Sequence, residues 1–259
     1  MKLAIAGKGG VGKTTISAQL IRRLIDRGCR VLAVDADPDV SLAVNLGMTT
    51  EEAASVKPLA DMEDLVKDRM GDGAFYSINP DVDDILPDYT IEEGHLRLLK
   101  MGGIKGGGTA CYCRENSFLN AVMNSVLFTD EDTVVLDMGA GIEHLTRGTT
   151  EGVDLLLVVT EPSRTSLESA AVILDLAEQI GIPDRKVVLN KARGQREHEI
   201  ARKMLPEDSL LTALPYDEGI WEWSIIGDGG KPELGEDTDK AYESLVDYIL
   251  ELAALEHQH

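Results

Sequence analysis

Residues 7–15 read Gly-Lys-Gly-Gly-Val-Gly-Lys-Thr-Thr, and this glycine-rich run decides the fold class. It follows the apolar residues 3–6 and precedes a stretch whose apolar residues recur at helical spacing. A strand, a glycine-rich turn and a helix therefore succeed one another, an arrangement in which backbone N–H groups and the helix N-terminus bind phosphates. The spacing matches the P-loop pattern in full, with Lys13 placed for the β- and γ-phosphates and Thr14 for Mg²⁺. We expect the loop to contact a bound nucleotide through Gly9, Gly10, Val11, Gly12, Lys13, Thr14 and Thr15.

Apolar runs farther along the chain predict the other strands of one sheet. Strands are expected at 30–34, 96–99, 133–136, 155–159, 186–189 and 210–214, and helices at 58–70, 114–127, 164–180, 194–204 and 237–254. Such alternation predicts an α/β fold, a doubly wound and mostly parallel sheet with helices on both faces. Apart from the short strand, residues 71–108 are expected to be irregular, because they are rich in Asp, Gly and Pro. Since no Pro/Ser-rich linker divides the chain, residues 1–259 are predicted to form a single P-loop ATPase domain.

A second lysine, Lys8, directly follows the first glycine of the run. This form of the loop resembles the deviant Walker A motif of the MinD, ParA and nitrogenase iron protein superfamily. In that family the early lysine reaches across a two-fold dimer to the nucleotide of the other subunit. The resemblance implies an ATPase whose active site is completed in a homodimer, with catalytic roles for Lys8 and Lys13.

Carboxylates stand near the ends of two predicted strands. Asp35 and Asp37 follow the strand at 30–34, and Asp137 closes the strand at 133–136. ATP hydrolysis needs carboxylates in such places, because Mg²⁺ must be held and a water molecule aimed. By the same resemblance, Asp137 belongs to the Mg²⁺ shell, and Asp37 orients or deprotonates the attacking water. Asp35 is a further candidate for holding Mg²⁺ through water; a cap or turn role is the alternative for any one of these residues.

Recognition of the adenine base is expected at the last strands of the sheet. Asn190 and Lys191 directly follow the strand at 186–189, and an amide offers both a donor and an acceptor to the base edge. The segment that contains Pro215 and Asp217 looks like the family's loop beside the base. Ordinary loop punctuation is the alternative for these residues. Together with the P-loop, they predict ATP or ADP with Mg²⁺ as the bound cofactor.

Cys111 and Cys113 form a Cys-x-Cys motif after three consecutive glycines. In a helix, residues two apart point to nearly opposite sides, so two such thiolates converge only in an extended or turn conformation. One pair supplies half of a closed tetrahedral site, and a two-fold dimer would supply the other half. Four thiolates suit Zn²⁺, an iron–sulfur cluster or square-planar Ni²⁺. A buried turn and a redox-active pair are the alternatives.

The Cys-x-Cys motif, the loop with Lys8 and the segments 35–39 and 137–141 together most resemble the CooC family of nickel-insertion ATPases. Those proteins serve carbon monoxide dehydrogenase, and relatives serve acetyl-CoA synthase. The resemblance implies a metallochaperone that dimerises and holds Ni²⁺ or Zn²⁺ between two copies of Cys111 and Cys113. Two alternatives stay open: an iron–sulfur cluster-carrying ATPase of the nitrogenase iron protein or scaffold type, and a partition or positioning ATPase.

The composition argues against several partners. The chain has 46 acidic and 25 basic residues and a net charge of −21, so its surface should repel DNA, RNA and anionic lipids. No stretch approaches the roughly 18 uncharged apolar residues of a membrane span, and the chain enters a strand at once. We therefore expect a cytoplasmic protein without nucleic-acid or membrane partners. We expect packing roles for Cys29, Trp221 and Trp223, and no metal site at His257 and His259.

Overall fold

The computed structural model describes residues 1–39, 41–71, 77, 80–102, 112–128, 133–140 and 152–256, without the side chains of residues 112, 113 and 256. The strands of this part form one sheet: β1 (Lys2–Gly7), β2 (Val31–Ala36), β3 (Thr90–Glu93), β4 (Leu96–Lys100), β5 (Thr133–Ala140), β6 (Leu155–Thr160), β7 (Asp184–Ala192) and β8 (Leu210–Pro215). Their order is β3-β4-β2-β5-β1-β6-β7-β8, and only β3 pairs antiparallel. The carboxyl ends of the other strands therefore meet at one edge of the sheet.

Helices cover both faces of this sheet. Their bounds are α1 (Lys13–Asp26), α2 (Leu42–Asn45), α3 (Thr50–Ser55), α4 (Glu63–Met70), α5 (Ile85–Tyr89), α6 (Tyr112–Leu127), α7 (Arg164–Gln179), α8 (Gln195–Met204), α9 (Glu218–Ile226) and α10 (Glu236–Glu256). One core lies between the sheet and a layer that includes α4, α6 and α7, and the other lies beneath α1 and α10. Alternate residues of β1 enter the two cores, with Ala4 in the first and Leu3 and Ile5 in the second. The doubly wound α/β fold predicted from the sequence is confirmed.

Three predicted features of secondary structure were wrong. The single helix at 58–70 is divided into a 3-10 turn (Leu59–Asp61) and α4, because Met62 has a non-helical backbone with φ −86° and ψ 72°. The stretch 71–108 contains α5 and β3 besides the expected short strand β4. Helix α6 begins at Tyr112, two residues before the predicted start, so that Cys113 lies in its first turn.

Candidate functional site

The P-loop joins β1 to α1 at the carboxyl edge of the sheet. Gly7 has a φ of 150°, and a Cβ there would lie 2.3 Å from the carbonyl oxygen of Val159 in the neighbouring strand β6. Gly12 has a φ of 96°, and a Cβ there would lie 2.4 Å from Nδ2 of Asn190. A side chain at position 7 would collide with the backbone of β6, and one at position 12 would displace the Asn190 side chain; with their positive φ angles, both positions favour glycine.

The remaining loop residues face two environments. Gly9 and Gly10 border open space, whereas Val11 is buried in the core beneath α1. Thr14 and Thr15 begin α1 after Lys13, and the hydroxyl of Thr15 lies 3.4 Å from Oδ1 of Asn45. The open side of the loop thus presents backbone and the helix N-terminus, which together attract phosphate.

The two P-loop lysines differ in exposure. Lys13 is buried, and its ammonium donates to the carbonyl oxygen of Lys8 at 3.4 Å and lies 3.9 Å from Oδ2 of Asp37. Lys8 itself is exposed at the surface. Lys13 is therefore held within the loop, while the Lys8 side chain is available to a neighbouring molecule.

Asp137 lies within β5 and does not close the strand as predicted, because β5 continues to Ala140. Its Oδ1 is 2.8 Å from the hydroxyl of Ser17, which also lies 3.0 Å from the carbonyl oxygen of Lys13. Burial raises the pKa of Asp137 to about 6, against the opposing effect of the hydroxyls of Thr14 and Ser17. Among the described residues, Oδ2 of Asp137 has no hydrogen-bond partner. A buried carboxylate oxygen without a partner, beside the Thr14 hydroxyl, fits the oxygen ligand set of Mg²⁺.

Asp35 lies inside β2, opposite Asp137 in the register of the two strands, and is fully buried. Its Oδ2 accepts a hydrogen bond from the Leu42 N–H at 2.8 Å, and its Oδ1 accepts one from the Asp37 N–H at 3.3 Å. Burial raises the pKa of Asp35 to about 7, with a smaller contribution from the charge of Asp137. Both oxygens thus hold the backbone of the segment 37–42, and the suggested role for Asp35 in holding Mg²⁺ stays a prediction.

The backbone of Asp35 also holds the start of the segment that leads to the cysteines. Its carbonyl oxygen accepts hydrogen bonds from the N–H groups of Met101 and Gly102, both at 3.0 Å. Cys111 lies outside the described residues, and the side chain of Cys113 is not described. Elsewhere in the described chain, no three His, Cys, Asp or Glu side chains are grouped so that they could hold a metal ion.

Asp37 and Gly139 bring two segments of the site together. Oδ1 of Asp37 accepts a hydrogen bond from the Asp39 N–H at 2.9 Å, and Oδ2 faces Lys13. A Cβ on Gly139 would lie 3.2 Å from Cδ of Pro38. The segment after β2 therefore packs directly on the end of β5.

Asn190 and Lys191 lie inside β7, which extends to Ala192, and do not follow the strand as predicted. The side chain of Asn190 donates to the carbonyl oxygen of Val11 at 2.8 Å. Lys191 donates to the carbonyl oxygen of Gly10 at 2.9 Å and forms an ion pair with Glu161. Both side chains fix the P-loop from the side of β7, and their contact with a base stays a prediction.

Pro215 and Asp217 stand where β8 meets α9. Pro215 ends β8 and lines a cavity of about 320 Å³ together with Ala192 and His198. The Asp217 carboxylate caps α9 by accepting from the Ile220 N–H at 3.1 Å, and it also accepts from the Gly235 N–H at 2.9 Å. Although burial opposes the effect, these hydrogen bonds and that from Thr238 hold the pKa of Asp217 below its usual range.

Sequence reasoning missed Ser17. Ser17 lies one helical turn after Lys13, and this spacing was the available signal that its hydroxyl faces the same site. A packing role was predicted for Trp221, whose side chain is 51% exposed. Cys29 is half-buried against the core beneath α1, and His257 and His259 lie outside the described residues. Across the described residues, no helix is long and apolar enough to span a membrane.

Comparison with known proteins extends these observations. Residues 2–228 match a family model described as the CobQ/CobB/MinD/ParA nucleotide binding domain. The chain is 38% identical over 224 residues to the carbon monoxide dehydrogenase accessory protein CooC of Rhodospirillum rubrum, and the match covers 85% of each chain. It is also 36% identical to an uncharacterised ATP-binding protein of Methanocaldococcus jannaschii, over 97% of this chain and 98% of that protein.

A solved structure with the same fold is the septum site-determining protein MinD complexed with Mg-ADP from Pyrococcus horikoshii. The two superpose with a TM-score of 0.64 over 98% of this chain and 97% of that chain, at 21% sequence identity. This likeness shows the shared arrangement of sheet and helices.

Proposed function

The chain belongs to the family of CobQ/CobB/MinD/ParA nucleotide-binding domains, and on that premise we propose that it is an ATP-hydrolysing metallochaperone. It dimerises with ATP and holds Ni²⁺ or Zn²⁺ between two copies of Cys111 and Cys113. ATP hydrolysis then promotes insertion of the metal into carbon monoxide dehydrogenase or a related enzyme such as acetyl-CoA synthase. The similarity to CooC over most of both chains supports this client.

One contact carries the proposal: the backbone of Asp35 joins the nucleotide site to the start of residues 101–113, which we call the cysteine segment. The Asp35 carboxylate holds the segment 37–42, and its carbonyl oxygen holds Met101 and Gly102. A nucleotide-dependent movement of the segment after β2 would therefore reach the start of the chain that leads to Cys111. ATP hydrolysis can promote metal release only if the nucleotide site and the metal site are energetically coupled. The hydrogen bonds of Asp35 are a connection through which the proposed coupling would act.

The chain's own side chains account for ATP hydrolysis to ADP and phosphate. The P-loop N–H groups and Lys13 would bind the phosphates, and Asp37 would orient the attacking water. Mg²⁺ bound with ATP neutralises charge on the phosphates, and Thr14 and Asp137 are the residues that would hold it. Lys8 would cross to the nucleotide of a second copy, which makes hydrolysis depend on the homodimer.

Metal analysis and gel filtration of protein purified without oxygen test the proposal. We expect a dimer with ATP that contains one Ni²⁺ or Zn²⁺ for two chains, and a Cys111→Ser, Cys113→Ser variant that still binds ATP but loses the metal. Cys29→Ser is the matched control, because Cys29 packs against the core far along the sequence from the motif. Metal affinity that survives the double substitution would overturn the proposal, as would a monomer that binds no metal.

The same preparation separates the two alternatives. Iron and sulfide in the dimer would indicate a cluster-carrying ATPase. Co-sedimentation with DNA or liposomes would indicate a partition or positioning ATPase, and the net charge of −21 predicts neither association.

A further inference from the structure

Helix α9 carries an apolar surface that the described chain leaves uncovered. None of its nine residues is buried. Trp221, Ile225 and Ile226 are 51%, 62% and 81% exposed; Trp221 and Ile225 lie one turn apart on the same side of the helix, and Ile226 is its last residue. We call these three residues the α9 face. Large apolar side chains that are contiguous on a surface mark interaction sites, whereas single ones do not.

The helix is held firmly although its outer side is open. Asp217 caps its first turn, and Ile220 packs on the core beneath α1. Beyond its end, Asp228 accepts a hydrogen bond from the Thr50 N–H at 2.7 Å, and the Gly230 N–H donates to the carbonyl oxygen of Gly47 at 3.0 Å. A rigid apolar helix loses little conformational entropy when a partner covers it, which favours docking.

The charged residues that lie next to the α9 face along the chain indicate which kind of partner it would bind. Every charged residue between Tyr216 and Gly230 is acidic; they are Asp217, Glu218, Glu222 and Asp228. A second copy that docked through the same face would bring two acidic borders together. An anionic membrane would be repelled for the same reason. The surface fits a protein with an apolar groove bordered by Lys and Arg.

The segment that follows α9 is connected through α3 to Lys100, at the start of the segment that leads to the cysteines. Thr50, which binds Asp228, is the first residue of α3. The carbonyl oxygens of Ala53 and Val56 at the other end of α3 accept from the ammonium of Lys100, at 2.5 and 2.6 Å. Lys100 directly precedes Met101 and Gly102, from which the chain continues to Cys111. The segment after α9 is thus joined through α3 to Lys100, which directly precedes the described start of the chain that leads to Cys111.

We propose that the α9 face is the docking site of the client metalloenzyme, which presents an apolar groove with a basic border. This inference rests on the proposed function, since it assigns a surface to the client of that function.

Binding to nickel-free carbon monoxide dehydrogenase tests the inference. Both tryptophans of the chain lie on α9, so labelling the chain with 7-azatryptophan, which absorbs to the red of the client's tryptophans, gives an emission that reports on this helix alone. We expect the emission to shift to shorter wavelength on binding, and Ile225→Glu with Ile226→Glu to weaken binding at least about tenfold. Glu222→Lys should weaken it as well, and added salt should weaken binding of the unchanged chain. The matched control is Val172→Glu with Leu176→Glu, which alters exposed apolar residues of α7.

The outcomes separate the two proposals. If the α9 variant keeps its metal and its ATP hydrolysis and binds the client like the unchanged chain, the docking site is wrong and the proposed function stands. If the unchanged chain binds no metal, the proposed function fails. If it carries metal and does not bind the client, both the client and its docking site are wrong. A fluorescence shift that needs only ATP and rising protein concentration would assign the α9 face to a second copy and overturn the inference.

Discussion

At the scale of single residues, Ser17 determines how Asp137 is presented. Its hydroxyl lies between the Lys13 carbonyl and Oδ1 of Asp137, in a fully buried position. Removal of a buried hydrogen-bond donor leaves the acceptor unsatisfied and costs about 1–3 kcal/mol. Removal of the Ser17 hydroxyl destabilises the charged form of Asp137 more than the neutral form, because that hydroxyl lowers the pKa of the carboxyl.

We therefore expect Ser17→Ala to raise the Mg²⁺ concentration needed for ATP binding and to lower the free energy of unfolding by about 1–3 kcal/mol. Titration of ATP binding with Mg²⁺, together with urea unfolding, measures both effects. Ser244→Ala is the matched control: its hydroxyl also bonds the carbonyl oxygen four residues earlier, at 3.0 Å, but lies at the surface of α10. Equal behaviour of the two variants would show that the contact with Asp137 has no role.

The raised pKa of Asp137 predicts a pH dependence of defined sign. Burial raises it from 3.8 to about 6, so the folded state binds the proton more tightly than the unfolded state. Without Mg²⁺, the free energy of unfolding should fall as pH rises from about 4 to about 6. Asp137→Asn should remove about 2–3 kcal/mol of that change. Urea unfolding of both proteins at several pH values measures it, and identical curves would contradict it.

At the scale of elements, α1 and α10 are joined by a row of ion pairs. Arg23 of α1 binds Asp239 and Glu243 of α10 and lies 5.0 Å from the ring centre of Tyr242. Arg27, one turn later, binds Glu243 and Asp247 and is more exposed. The buried arginine should matter more, because its stem and guanidinium also pack on an aromatic ring.

Arg23→Ala is expected to destabilise the fold by about 1–3 kcal/mol, through lost packing on Tyr242 and lost ion pairs. Arg27→Ala serves as the comparison and should have a smaller effect, since water screens its ion pairs. Thermal unfolding at low and at high salt distinguishes the contributions. If Arg27→Ala were the more damaging substitution, the packing argument would be wrong.

The elements also show what could be predicted from the sequence. Strands β1, β2 and β6 are buried on both faces, so each contains a continuous apolar run, which indicates a strand of a parallel sheet. The edge strand β3 has the polar sequence Thr-Ile-Glu-Glu and pairs antiparallel with β4, and nothing in its own composition indicates a strand. Helix α9 was missed because most of its residues are apolar, so its sequence lacks the regular spacing of apolar and polar positions that marks a surface helix.

The candidate site also contains residues that local sequence indicates and contacts that only the fold creates. Lys13 and Asp137 could be predicted as site residues because Lys13 has a fixed spacing in the P-loop pattern and Asp137 follows an apolar run; their roles stay predictions. The contact of Asn190 with Val11 joins residues 179 positions apart, and only the order of strands in the sheet brings them together. The same holds for the bond between Asp35 and Met101, which depends on the pairing of β2 with β4.

At the scale of the whole molecule, net charge predicts opposite salt responses for the two proposed associations. Two chains of net charge −21 repel each other, so added NaCl should strengthen ATP-dependent homodimerisation by screening. Docking of a basic-bordered client on the acidic α9 surface should instead weaken with salt. Sedimentation analysis with ATP at roughly 0.02 and 0.3 M NaCl tests the first effect. A dimer that dissociates as salt rises would contradict it.

The hydrogen bonds between β2 and the start of the cysteine segment join main-chain atoms on both sides. The Asp35 carbonyl oxygen and the N–H groups of Met101 and Gly102 exist whatever side chains these residues carry. Only proline at position 101 or 102 would remove a donor. For the metal carrier proposed above, substitutions and insertions beyond residue 102 would leave these hydrogen bonds in place while changing which metal is bound. One ATPase of this arrangement would then give rise to carriers of different metals.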